Sequence, residues 1–225
     1  MNERVRLNIN NNNSESKMMM TATTEIRETT RTTREVTAAK TNAAVPRHVA
    51  MVLNSGAGRQ ALHVDAATSA LRAIVLGCSE AGVTVLTLIR PDDCAESFDA
   101  AVAAVRATTE TVNALRINLA SPRSGRDELV ESVRRIAAQA KRGGVAPGAI
   151  GSEQIESGLS TRGLPPIDLL ITTGGGATLS GALVWQAAYA ELLFLDAPWQ
   201  SFSRADFEVA LADYSKRCRK FGGLA

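Results

Sequence analysis

The stretch that decides the fold reads Asp168-Leu-Leu-Ile-Thr-Thr-Gly-Gly-Gly-Ala-Thr-Leu-Ser180. It predicts a short apolar strand, a turn of three glycines and a helix that begins near Leu179. Backbone N–H groups and the N-terminus of a helix converge in such a turn, and together they attract anions. Gly174, Gly175 and Gly176 are therefore candidate ligands of a phosphate or diphosphate.

A second glycine-rich turn starts at Asn54, directly after the apolar run 48–53. Apolar runs of strand length recur at 83–89, 115–119 and 167–171, and helical spacing of apolar residues lies between them. This alternation predicts an α/β fold with a central parallel sheet flanked by helices. Ligands of such sheets bind beyond the carboxyl ends of the strands, where both glycine turns are expected to lie.

Residues 1–44 differ in composition from the rest of the chain. They contain an asparagine run, three consecutive methionines and threonine-rich charged sequence with almost no large apolar side chain. Such a segment cannot offset the entropy that it would lose on ordering, so we predict a disordered N-terminal tail. Residues 45–225 are predicted to form one domain, because a chain of 225 residues that is 45% apolar can bury one substantial core.

Composition argues against several classes of function. The chain has 25 basic and 23 acidic side chains, no basic stripe and only 4% aromatic residues, which argues against nucleic-acid binding. The three cysteines lack the spacing of a metal site and favour a reducing compartment. No apolar run is long enough to span a membrane, and the N-terminus lacks the apolar segment of a secretory signal. We therefore expect a cytoplasmic protein without a membrane span.

Several motifs in the last third of the chain carry a resemblance to a known family. They are T-G-G at 173–175, W-Q-x-A-Y-A-E-L-x-F at 185–194, W-x-x-F at 199–202 and F-G-G at 221–223. On these motifs the chain resembles the cis-prenyltransferases, the undecaprenyl diphosphate synthase superfamily. The resemblance implies a single cis-prenyltransferase-like domain, prenyl diphosphate substrates, Mg²⁺ as cofactor, and a homodimer that associates through the helix carrying Trp185.

The same resemblance implies roles for individual residues. The chain has Asn54 where the family has an aspartate that holds magnesium, and an amide lacks the charge that binds this cation well. Glu191 matches a glutamate that reaches the metal of the neighbouring subunit. Asn54 and Glu191 are therefore the candidate catalytic residues, and Glu191 is the candidate metal ligand. The residues expected to bind diphosphate are Gly58, Arg59, Gly174, Gly175, Gly176, Ser180, Lys220 and Gly222.

Departures from the family pattern bear on the expected reaction. Thr172 and Thr178 stand where the family has two arginines that hold the diphosphate of isopentenyl diphosphate. In this respect the chain resembles the irregular branch, the lavandulyl-type synthases, which join two allylic diphosphates head to middle and release diphosphate. The resemblance thus implies a prenyltransferase of isoprenoid biosynthesis that differs from the ordinary chain-elongating enzymes.

Other interpretations stay open. A chain that keeps the fold but not the active site would be a non-catalytic partner of a catalytic cis-prenyltransferase subunit. Gly56, Gly58 and Ala61 also match the G-x-G-x-x-A pattern of dinucleotide-binding enzymes, with Arg90 placed for the 2′-phosphate of NADP. Glu191 lies in an apolar segment, where an ordinary salt bridge would satisfy it as well as a metal.

Overall fold

The structure is a computed structural model, and its described residues all belong to one compact unit, Ala44–Ala225. It describes residues 45–56, 64–90, 95–109, 115–120, 124–176 and 181–217. The tail predicted to be disordered, residues 1–44, lies outside this part of the chain.

The described strands form one parallel sheet with the order β3-β2-β1-β4-β5. The strands are β1 His48–Val52, β2 Val85–Ile89, β3 Arg116–Ala120, β4 Leu169–Thr172 and β5 Glu191–Phe194. Every residue of β1, β2 and β4 is buried, as expected for inner strands that are covered on both faces. The predicted α/β class with a central parallel sheet is confirmed.

Five α-helices are described, and the longer ones cover the sheet. They are α1 Val64–Ala81, α2 Ala95–Thr109, α3 Gly125–Lys141, α4 Ser152–Glu156 and α5 Arg204–Lys216. Residues 71, 74, 75 and 78 of α1 follow helical spacing and are all buried. Two helices have side-chain caps, because Ser124 Oγ accepts from Asp127 N and Ser203 Oγ accepts from Asp206 N.

The core lies on both faces of the sheet, because successive side chains of a strand point to opposite sides. Val49 and Met51 of β1 pack into the cluster that contains residues of α1, α2 and α5. Ala50 and Val52 pack on the other face, against a smaller cluster that includes Leu183. In the larger cluster, fully buried Trp199 meets Phe98 edge-on, with 6.0 Å between the ring centroids. The W-x-x-F motif therefore begins with a core residue.

The α-helix that the sequence predicts from about Leu179 is not found in the described residues that follow. Residues 177–180 lie outside the described part, and the chain beyond them forms a turn at 181–185 and a 3-10 helix at Gln186–Tyr189. Gly181 and Leu183 have φ of 75° and 53°, values that an α-helix of L-residues cannot contain. Packing explains the difference, because Gly125 N–H donates to Gly181 O (2.6 Å) and Leu183 is buried in the smaller cluster.

Candidate functional site

The two glycine turns lie side by side at the carboxyl edge of the sheet. Strands β2 and β3 lie on one side of β1, whereas β4 and β5, which come later in the chain, lie on the opposite side of β1. This reversal between β1 and β4 is the position where open parallel sheets bind ligands. Residues 53–56 and 173–176 come directly after these two strands, so the described part of each turn lies beyond the carboxyl ends, as predicted.

Three hydrogen bonds join the turns. Asn54 donates from its backbone N to Thr173 Oγ1 (3.0 Å) and from Nδ2 to the carbonyl oxygen of Thr173 (3.0 Å). The Thr173 hydroxyl is also within 3.2 Å of the carbonyl oxygen of Asn54. Gly174 has φ of 83°, and a Cβ there would lie 2.5 Å from Asn54 O, so the close approach of the two backbones requires glycine.

The glycine triplet is less open to an anion than the sequence predicts. Gly174 N–H donates to Ala197 O (2.8 Å), and Gly175 N–H donates to Leu195 O (3.1 Å). Gly176 is exposed, and no described residue accepts a hydrogen bond from its N–H. The expectation of three free amides is therefore corrected, because the chain that leaves β5 already uses two of them. A role of Gly174 and Gly175 in binding diphosphate remains a prediction.

Glu191 lies at the opposite end of the sheet from Asn54. It is the first residue of β5 and pairs in register with Leu169, the first residue of β4. The length of β4, roughly 10 Å at about 3.3 Å per residue, therefore separates Glu191 from the glycine turns. Within one chain the structure does not bring the two candidate catalytic residues together.

The Glu191 carboxylate has a cationic partner. Arg217 Nη1 lies 3.2 Å from Glu191 Oε2 and 2.7 Å from Leu192 O, and Arg217 also binds Asp213. Burial lowers the pKa of Arg217, but its hydrogen bonds to Asp213 and Glu191 outweigh burial and raise the pKa overall. The salt-bridge interpretation of Glu191 is therefore confirmed within this chain.

Two residues for which the sequence predicted no role hold the first turn in place. Thr173 is fully buried and provides both acceptors for Asn54. Gln200 Nε2 donates to Ser55 Oγ (2.7 Å), next to the bond from Trp199 N to Asn54 O (3.2 Å). The buried Gln200 Oε1 has no hydrogen-bond partner within the described part of the chain. The W-x-x-F motif at 199–202 includes Gln200, but the motif does not indicate that this segment contacts the first turn.

The remaining predicted site residues cannot be placed. Gly58, Arg59, Ser180, Lys220 and Gly222 lie outside the described residues. The same holds for Thr178, and for Ala61 of the dinucleotide pattern. The guanidinium of Arg90, proposed for a 2′-phosphate, instead forms a 3.0 Å ion pair with Asp99 of α2.

The described residues do not fit a magnesium site. Across the described ranges, no group of three or more His, Cys, Asp or Glu side chains is close enough to hold a metal ion. Asn54 turns its NH₂ group to a carbonyl, and Glu191 is paired with Arg217. Magnesium prefers charged oxygen ligands, whereas Asn54 can offer only a neutral amide oxygen and the Glu191 carboxylate is already paired with Arg217.

Comparison with known proteins gives a consistent set of relatives. The family described as "Putative undecaprenyl diphosphate synthase" matches residues 78–222. An isoprenyl transferase of Zymomonas mobilis is 46% identical over 116 residues, which is 51% of this chain and 47% of the relative. The ditrans,polycis-undecaprenyl-diphosphate synthase of Escherichia coli is 40% identical over 109 residues, 48% of this chain and 43% of the relative. The chain thus spans about half the length of the curated relatives it matches.

A solved structure supports the fold. Lavandulyl diphosphate synthase from Lavandula x intermedia, crystallised with dimethylallyl diphosphate, aligns with a TM-score of 0.65 at 22% identity, covering 79% of this chain and 98% of that one. At this identity the likeness concerns the fold alone. Within the described segments, no helix combines the length and the apolar character needed to cross a bilayer.

Proposed function

We propose that this chain, which belongs to the undecaprenyl diphosphate synthase family, is a prenyltransferase that binds allylic prenyl diphosphates where its two glycine turns meet. The observation that carries the proposal is the position of this junction, at the carboxyl ends of β1 and β4, where the strand order reverses. Open parallel sheets bind their ligands at such a position. Family membership makes a prenyl diphosphate the ligand of choice.

The proposed reaction begins when the C–O bond between an allylic group and its diphosphate breaks and the electron pair leaves with the diphosphate. Hydrogen-bond donors aimed at the leaving group lower this barrier. We assign this role to the exposed N–H of Gly176 and to Arg59, because a guanidinium binds phosphate oxygens in a bidentate manner. The double bond of a second prenyl diphosphate then attacks the cation, and loss of a proton from the new carbocation gives a longer product that keeps the diphosphate of the second substrate.

Thr172 supports coupling between two allylic diphosphates. It ends β4 and is 3% exposed, so this position presents neither a charge nor an accessible side chain to the diphosphate of isopentenyl diphosphate. Thr178, the other position where the resemblance implies an arginine, is also uncharged. A chain without both arginines is poorly equipped to hold isopentenyl diphosphate, which favours irregular, head-to-middle condensation over ordinary elongation.

A second candidate function is that of a non-catalytic partner for a catalytic cis-prenyltransferase subunit. The observation that favours it is that groups expected to bind substrate already have partners inside the chain. The Asn54 amide is bound to Thr173, the N–H groups of Gly174 and Gly175 donate to carbonyls, and Glu191 is paired with Arg217. Polar groups that are satisfied in this way contribute to the fold and need no ligand.

Self-association is part of the proposal. Val184 is 42% exposed and Tyr189 is 70% exposed, and both lie in the segment that the resemblance assigns to a homodimer contact. Exposed apolar side chains of this size are typical of protein interfaces when they occur together.

The activity test uses the purified full-length chain with dimethylallyl diphosphate alone, with geranyl diphosphate alone, and with each of them plus isopentenyl diphosphate. Released diphosphate and the products are measured. Irregular coupling predicts diphosphate release and a ten-carbon product from dimethylallyl diphosphate alone. Turnover that requires isopentenyl diphosphate would show elongation. Turnover only after addition of a homologous synthase would support the partner role.

A pair of arginine variants tests the site itself. We expect Arg59→Ala to weaken the binding of geranyl diphosphate about 10- to 100-fold in calorimetry, since it removes charge-assisted hydrogen bonds to the diphosphate. Arg72→Ala removes an exposed arginine of α1 and serves as the matched control. Equal affinities for the two variants would contradict the role of Arg59.

A further inference from the structure

We infer that Asn54 is a latch that joins the two glycine turns through Thr173, and that the junction closed in this way does not hold a divalent cation. The proposal deepens the proposed function, because the latch lies in the same junction. Three polar atoms of Asn54 form hydrogen bonds at this junction. Its N–H and NH₂ groups donate to Thr173, and its carbonyl oxygen accepts from Trp199 N.

The chemistry of the acceptor determines which side chain can occupy position 54. Thr173 O is a carbonyl oxygen and can only accept, so the group facing it at 3.0 Å must be a donor. The asparagine amide provides that donor. An ionised aspartate would place a second acceptor against the carbonyl and leave both oxygens without a proton between them.

The bond between the Asn54 amide and Thr173 affects the shape of the site because of where it lies. Thr173 is fully buried, and the contact links residues 119 positions apart in the sequence, at the ends of two neighbouring strands. The two turns are so close that a Cβ on Gly174 would lie 2.5 Å from Asn54 O. Loss of the latch would therefore let the turns move apart at the point where the diphosphate is proposed to bind.

The first test is thermal unfolding of the full chain and its variants, measured with EDTA and with excess MgCl₂. We expect Asn54→Ala and Asn54→Asp to lower the unfolding midpoint by about 3–10 °C, since each leaves a buried acceptor unpaired. Magnesium should restore neither variant and should not shift the wild-type midpoint. Gln139→Glu makes the same amide-to-carboxylate change at an exposed position of α3, and its unfolding midpoint should equal that of wild type.

A double-mutant cycle separates a latch from a general loss of packing. Asn54→Ala, Thr173→Val and the double variant are compared by the same unfolding measurement. Asn54→Ala removes the bond from Nδ2 to the Thr173 carbonyl oxygen, and Thr173→Val removes the hydroxyl that accepts from Asn54 N, so each change breaks a different bond across the same junction. If the latch opens once either bond is lost, the double variant should lose clearly less than the sum of the two single losses. Additive losses would overturn the inference. So would an Asn54→Asp variant that is as stable as wild type, or one that magnesium stabilises.

The second test measures the binding of geranyl diphosphate to the wild-type chain by calorimetry, once in EDTA and once in MgCl₂. The inference predicts binding in EDTA that magnesium changes by less than about tenfold. Binding that requires magnesium would overturn the inference and leave the proposed function standing. Absence of binding under both conditions would overturn the proposed function, and the latch would then be judged by the unfolding data alone.

Discussion

His48 shows how one residue can link several elements of this fold. It is fully buried at the start of β1, with Nδ1 2.7 Å from Pro165 O and Nε2 2.8 Å from Thr87 Oγ1. Since a carbonyl can only accept, Nδ1 carries the proton, and the Nε2 of the neutral ring accepts from the Thr87 hydroxyl. That hydroxyl in turn accepts from Asn118 Nδ2 (3.2 Å). Burial lowers the pKa of His48 and keeps the ring neutral.

This burial predicts a pH dependence of stability. The unfolded histidine binds a proton near its ordinary pKa of 6.5, whereas the folded one does so only at lower pH. The contribution of His48 is therefore complete above pH 6.5 and is lost as the pH falls below it, with a slope of at most about 1.4 kcal/mol per pH unit. Urea unfolding between neutral and mildly acidic pH measures this slope.

The second histidine of the chain provides the control for this prediction. His48→Gln should show a smaller loss of stability with falling pH than wild type does, whatever its stability at neutral pH. His63→Gln makes the same change at the other histidine and gives the part of the slope that is due to that residue. Identical slopes for wild type and His48→Gln would exclude His48 as the titrating group.

Cys78 is predicted to be unreactive in the folded protein. It is fully buried in α1, and burial raises the pKa of its thiol, so the nucleophilic thiolate is scarce. Native protein treated with iodoacetamide at mildly alkaline pH should leave the Cys78 peptide unlabelled, whereas protein in urea should be labelled there. Mass spectrometry separates this peptide from those of Cys94 and Cys218. Labelling of native Cys78 at the rate of a free thiol would contradict its burial.

At the scale of elements, a glycine in α1 allows α5 to pack closely against it. A Cβ on Gly77 would lie 2.8 Å from the ring of Phe207, a fully buried residue of α5. Glycine is otherwise unfavourable inside a helix by about 1 kcal/mol relative to alanine. Its presence here is explained by the close packing of the Phe207 ring.

We therefore expect Gly77→Ala to destabilise the protein by about 1–2 kcal/mol, because overpacking outweighs the gain in helix propensity. Denaturant unfolding gives the change. Ser69→Ala, at an exposed position of the same helix, should stay within about 0.5 kcal/mol of wild type. A Gly77→Ala variant more stable than wild type would mean that the two helices can separate without cost.

The prediction at the scale of the whole molecule concerns self-association. If the segment carrying Val184 and Tyr189 forms the homodimer contact, the full chain should have the mass of a dimer by light scattering. Tyr189→Glu should shift it to monomer, because an interface that buries a carboxylate without a partner is costly. Val209 is 64% exposed on α5, and Val209→Glu is the matched control that should remain a dimer. A wild-type monomer would remove the dimer from the proposal.

Much of the fold is determined by local sequence. The apolar runs at 48–53, 83–89, 115–119 and 167–171 correspond to β1 to β4 within two residues. Strand periodicity and turn glycines depend on neighbouring residues, so they can be read without knowing the tertiary structure. The same is true of the family resemblance, which rests on contiguous motifs and is confirmed by the match over residues 78–222.

What the sequence by itself determined, then, is the α/β class, the approximate strands, the family and the two glycine turns. Only the tertiary structure decided that Asn54 binds Thr173, that Gly174 and Gly175 use their amides internally, and that Glu191 lies at the other end of the sheet with Arg217. It also replaced the expected helix with a turn at 181–185. The reason is that a buried polar group takes its partner from whichever element lies next to it, and that neighbour can be more than a hundred residues away in the chain.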